Sequence, residues 1–78
     1  MAITDYNTIL TKWPNSYPPR HNRAMCYGRL REYDKAIADY SMIIEQDLDY
    51  SNYGSPKEHA IAMAHHYRGR IFQWQKKD

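Results

Sequence analysis

Residues 36–43 read Ala36-Ile37-Ala38-Asp39-Tyr40-Ser41-Met42-Ile43, and residues 2–9 read Ala2-Ile3-Thr4-Asp5-Tyr6-Asn7-Thr8-Ile9. Five of the eight positions are identical, the pair Leu10 and Ile44 extends the match, and the two stretches lie 34 residues apart. Recurrence at a period of this size is the signature of stacked units that cannot bury their apolar faces alone. A weaker match sets Arg23-Ala24-Met25-Cys26-Tyr27 over Arg68-Gly69-Arg70-Ile71-Phe72, at an offset of 45, eleven more than 34.

The repeated stretches carry helical periodicity. Ala2, Tyr6, Ile9, Leu10 and Trp13 recur at the three-to-four spacing of one helix face, and Pro14-Asn15-Ser16 stops the run, which predicts a helix over 2–13. Tyr17-Pro18-Pro19 opens a second helix, expected over 18–30, because a first-turn proline lacks only an N–H that has no intrahelical partner anyway. A third, over 33–46, has Ala36, Tyr40, Ile43 and Ile44 as its apolar stripe and Glu32 and Asp34 near its positive end. Residues 47–54, DLDYSNYG, read as a loop that accounts for most of the eleven-residue excess. Ser55-Pro56-Lys57-Glu58 then combines a serine cap, a first-turn proline and a glutamate placed for a capping box, and starts a fourth helix over 56–76.

The chain of 78 residues is one domain's worth and small enough for its stability to be marginal. A single cysteine, Cys26, closes no intramolecular bridge, which points to a reducing, cytoplasmic setting. Residues 1–10 carry Asp5 but neither a basic cluster nor a continuous apolar run, so no signal or transit sequence is readable, and no stretch reaches membrane-spanning length. The formal net charge of +2 is too small to imply a nucleic-acid partner.

The pattern resembles the tetratricopeptide repeat family, helix–turn–helix units of 34 residues with W-x2-L-G-x2-Y, then A-x3-F, then P. Ala24 takes the small glycine place and Tyr27 the aromatic place, and Tyr33, Ala36 and Tyr40 follow at family spacing. Arg20 and Arg23 replace the tryptophan and leucine, and Leu48 replaces the closing proline. Ala2, Tyr6, Ile9 and Pro14 fit the second half of a repeat, and Arg68, Gly69 and Phe72 the first half of another. The resemblance implies an all-α solenoid fragment of four antiparallel helices in one domain: a half repeat over 1–16, a full repeat over 17–50, an insertion within 47–55, and a half repeat over 56–78. Small residues at Ala24, Ala36 and Gly69 are expected to let helices approach while Tyr27, Tyr40 and Phe72 fill the space beside them.

In similar proteins the first helix of each pair lines a concave groove that holds an extended peptide or a partner helix. That face carries His21, Asn22, Met25 and Arg29 on the second helix, and Met63, His66, Arg70, Gln73 and Trp74 on the fourth. Cations beside a thioether and an aromatic ring suit an acidic or carboxylate-ended segment with a hydrophobic anchor. A solvated helix surface is the plainer account of the same residues. Asn22-Arg23-Ala24 fits the asparagine that some family members place in a carboxylate clamp, but Met63 and Tyr67 stand where its basic residues would be, so a clamp is not expected.

No metal, cofactor or catalytic role is expected. Neighbouring His65 and His66 point about 100 degrees apart on a helix, and neither they nor His21 and His59 form an i, i+4 pair. Cys26 has no base or orienting partner in sequence, and three glycines make no phosphate loop. The expected role is therefore a protein-interaction or scaffold module, with self-association through its end helices, since half repeats at both ends lack hairpin partners. The alternatives are a helical repeat that binds nucleic acid through Arg20, Arg23, Arg29, Arg31, Arg68 and Arg70, and a purely structural self-assembling protein.

Overall fold

The computed structural model describes residues 2–46, 48–51 and 53–77. It contains four helices, α1 (Ala2–Lys12), α2 (Tyr17–Arg29), α3 (Tyr33–Glu45) and α4 (Lys57–Lys77), each packed on the next. The all-α, tetratricopeptide-like architecture is as expected, with helix ends displaced by one residue. Asp47 and Asn52, within the expected insertion, lie outside the described residues, as do Met1 and Asp78.

The core is built from small residues where helices touch and large ones beside them. Ala24, Ala36, Ala60 and Ala64 are wholly buried, and Tyr17, Tyr40, Ile43, Leu48 and Ile71 close around them. Ala24 and Ala36 thus fill the notches expected of them. Gly69 does not: a Cβ added there meets nothing within 4 Å, and Phe72 is 44% exposed. The glycine of close approach is Gly28, where an added Cβ would stand 2.9 Å from the Cδ1 of Ile71, so α4 leans on α2 at that point. Ile9 and Trp13, assigned to the apolar stripe of α1, are also exposed, at 37% and 59%. Leu10 alone of that stripe's large side chains is buried.

A polar cluster joins the first three helices. The buried Arg20 donates from Nη1 to Asp39 Oδ1 (3.0 Å) and from Nη2 to the Pro14 carbonyl (2.8 Å). Arg23 grips the same carboxylate with two bonds, Nε to Oδ2 (2.8 Å) and Nη2 to Oδ1 (2.7 Å), and sends Nη1 to Asn7 Oδ1 (2.8 Å). The hydrogen bonds to Asp39 hold the Arg23 guanidinium above its ordinary pKa. Positions 20 and 23, where the repeat pattern has tryptophan and leucine, therefore exchange apolar packing for an ion-paired network around one buried carboxylate.

The turn between α2 and α3 ends α2 with paired backbone bonds, Glu32 N–H to the Tyr27 carbonyl (2.9 Å) and Arg31 N–H to the Gly28 carbonyl (3.2 Å). This arrangement demands a left-handed residue, usually glycine, and here Arg31 supplies it at φ 62°. Arg31→Gly removes the Cβ strain and is expected to raise stability by about 1 kcal/mol, less the entropy that glycine adds to the unfolded chain. A rise in the urea midpoint at unchanged slope checks it.

The loop between α3 and α4 folds back onto the helices. Tyr17 N–H donates to the Asp49 carbonyl (3.0 Å) and Asp49 N–H to the Asn15 carbonyl (2.6 Å), tying the loop to the α1–α2 turn. The Tyr50 and Tyr53 rings lie 5.0 and 4.7 Å from the Tyr17 ring, so they cover α2. The Tyr53 hydroxyl lies 2.9 Å from His59 Nδ1, pinning the loop to the start of α4.

Candidate partner-binding cleft

The leaning of α4 on α2 leaves a small cleft of about 90 Å³. Met25, Gly28 and Arg29 line it from α2, Tyr40 from α3, and Tyr67, Ile71 and Trp74 from α4. Its walls are apolar and its mouth is cationic. Arg29 is exposed and close enough to Tyr40 to oppose part of the upward pKa shift of that phenol. The Arg70 guanidinium stands 5.4 Å from the centroid of the Trp74 ring, within cation–π range.

Of the nine groove residues expected from sequence, Met25, Arg29 and Trp74 meet in this cleft, and Arg70 joins them through Trp74. His21 sits behind it. Its half-buried ring lies 6.0 Å from Tyr40 and 5.9 Å from Tyr67, and burial pushes its pKa below the ordinary 6.5. His66 is exposed and packs edge-on against Tyr67 at 5.3 Å. Met63 is half-buried, with Sδ 3.9 Å from the Tyr53 hydroxyl, and Gln73 is exposed. Asn22 is exposed and lines a different cleft.

Four lining residues, Gly28, Tyr40, Tyr67 and Ile71, were not among the expected groove residues, and the two tyrosines are the largest of them. Tyr67 could have been found, because it continues the helical spacing of Met63, Arg70 and Trp74. Tyr40 carried no such signal, since its spacing marked it only as core. The stacked Tyr40 and Tyr67 rings, 6.1 Å apart, form the floor.

The cleft that includes Asn22 lies between α1 and α2 and is larger, about 510 Å³. Tyr6, Ile9 and Trp13 face Pro18, Pro19 and Asn22 across it, with Ser16 and Asp49 at one end. The exposed side chains of Ile9 and Trp13 belong to this surface.

Of the six arginines that a nucleic-acid reading would use, Arg20 and Arg23 are committed to Asp39 inside the fold. Arg68 donates to Ser41 Oγ at 2.9 Å. Among the described residues no group of three or more His, Cys, Asp or Glu side chains is placed to hold a metal ion, and Cys26 is half-buried. No described helix is long and apolar enough to cross a membrane.

Over 47 residues the chain is 40% identical to Tetratricopeptide repeat protein 6 of Homo sapiens, a match covering 60% of this chain and 9% of that protein. The match therefore spans less than a tenth of that relative's length. No family model matches the chain. No solved structure matches it.

Proposed function

We propose that this chain, which resembles the tetratricopeptide repeat family in sequence and fold, is a protein-interaction module rather than an enzyme. It holds an extended segment or a helix of a partner at the α2–α4 cleft, and it joins to copies of itself through α1 and α4. The observation that carries the reading is the meeting of Met25, Arg29 and Trp74 over the Tyr40 and Tyr67 rings. A thioether and aromatic faces accept a bulky apolar anchor, and the Arg29 and Arg70 guanidiniums favour acidic groups beside it. A reducing, cytoplasmic setting belongs to the same proposal, on the strength of the single cysteine.

The test is fluorescence polarisation with a panel of acidic peptides that carry one bulky apolar residue and a free terminal carboxylate. Trp74→Ala is expected to weaken the best binder by about 30-fold, the scale of an aromatic hot spot, and Arg29→Glu to weaken it further at low salt. Asn22→Ala, in the other cleft, leaves that binding unchanged. A panel bound equally by wild type and Trp74→Ala removes the case for this cleft. Tight, steeply salt-dependent binding of RNA or DNA by the same protein would favour the nucleic-acid alternative.

A further inference from the structure

The geometry points to one specific contact between copies: α1 of one copy docks on the outer face of α4 of another, rebuilding the α2–α3 pair, with Asp5 in the place of Asp39. The contact rests on the self-association part of the proposed function.

The internal repeat supplies the template. By the 34-residue offset Asp5, Tyr6, Asn7 and Ile9 of α1 correspond to Asp39, Tyr40, Ser41 and Ile43 of α3. By the 45-residue offset Arg20, Arg23, Ala24 and Tyr27 of α2 correspond to His65, Arg68, Gly69 and Phe72 of α4. The hydrogen bonds obey this correspondence. Arg23 sends Nη1 back to Asn7 on the preceding helix, and Arg68 sends Nη1 back to Ser41, the counterpart of Asn7. Arg23 then spends Nε and Nη2 on Asp39 of the following helix. The same two atoms of Arg68 have no partner among the described residues. Neither does the carboxylate of Asp5, which is exposed.

The surrounding faces agree. Arg20, Ala24 and Tyr40 are buried between α2 and α3, whereas His65, Gly69 and Phe72 are exposed on α4. The open space over Gly69 leaves room for a helix where Ala24 already receives one. Of the five large exposed hydrophobic residues among the described ones, Ile9, Phe72 and Trp74 stand on the two helices that would meet, and Trp13 directly follows α1. The charges are complementary: Arg68 on one side, Asp5 on the other. A second copy is therefore the occupant that matches in spacing, shape and sign together. Because unlike surfaces meet, the contact propagates head to tail into a ring or a filament.

Sedimentation velocity over a micromolar concentration series tests the contact on the 78-residue chain. Wild type is expected to associate, and Asp5→Arg and Arg68→Asp each to associate at least about tenfold more weakly, because like charges then face each other. An equimolar mixture of the two variants is expected to recover association, since every contact in an alternating assembly again pairs opposite signs. Asp5→Arg disturbs no hydrogen bond or ion pair among the described residues, so it remains decisive if Arg68→Asp, which loses the Ser41 bond, melts early by circular dichroism. A wild type that stays monomeric overturns self-association and this contact together. Wild type and Asp5→Arg assembling equally overturns the contact but leaves self-association standing. Two monomeric variants that fail to reassociate when mixed also overturn the Asp5–Arg68 pairing.

Discussion

Asp39→Ala is expected to lower the free energy of unfolding by about 3–5 kcal/mol, the usual cost of leaving a buried charge without its partner. The carboxylate receives three hydrogen bonds, one from Arg20 and two from Arg23, and both Asp39 and Arg20 are nearly sealed from solvent. Removing it strands the Arg20 guanidinium, whose Nη2 then has only the Pro14 carbonyl while Nη1 has none. A chain of 78 residues has about 4–12 kcal/mol of total stability, so the loss reaches a large share of the whole. Urea unfolding followed by circular dichroism measures it. Replacing all three members together, as Arg20→Leu/Arg23→Leu/Asp39→Leu, is expected to cost far less than Asp39→Ala alone, because apolar packing then substitutes for the whole network. An Asp39→Ala protein as stable as wild type would show that the arginines find other partners.

The second large effect is a loss of stability in alkali. Burial, then the neighbouring Tyr67 and Asp39, pushes the Tyr40 phenol up to about 12, and burial with Tyr53 beside it pushes Tyr17 higher still. In the unfolded chain both release their protons near the ordinary value of 10. Between pH 10 and 12 the folded state therefore holds protons that the unfolded state has lost, and stability falls as pH rises through that window. Each unit of difference is worth about 1.4 kcal/mol, so Tyr40 alone contributes a loss of about 2 kcal/mol by the upper end of the window. His21 acts in the opposite sense: its pKa lies below 6.5 in the fold, so acid protonates the unfolded chain first and stability falls as pH drops below 6.5. Melting temperature against pH should show a plateau between these limits. Tyr40→Phe keeps the ring and should remove part of the alkaline loss while leaving the plateau close to wild type. Superimposable curves above pH 10 would rule out burial of Tyr40 as its cause.

The candidate site was half legible. Met25, Arg29 and Trp74 could be named because a helix presents residues three and four apart on one face, and α2 and α4 do present them to one cleft. Half of their floor could not, because Tyr40 reaches the cleft from α3 and its spacing said only that it was buried. His21 shows the same limit: its spacing assigned it to the groove, and the rings of Tyr17, Tyr40 and Tyr67 enclose it from three directions. The glycines exchanged roles for a similar reason. Gly69 matched the repeat pattern and faces open space, whereas Gly28, with no signal of its own, lies where Ile71 presses in.

The sequence by itself determined the four helices, their order, the 34-residue recurrence, and the alanine notches and tyrosine at Ala24, Ala36 and Tyr40, because periodicity and turn chemistry are local properties of the chain. Only the tertiary structure decided which charges are internal. Arg20 and Arg23 read as replacements for two apolar residues, or as phosphate contacts, until Asp39, 19 and 16 residues away on another helix, is brought within 3.0 Å. Spacing along one helix says which residues share a face, but burial and ion pairing depend on the helix that covers that face, and only packing supplies the neighbour.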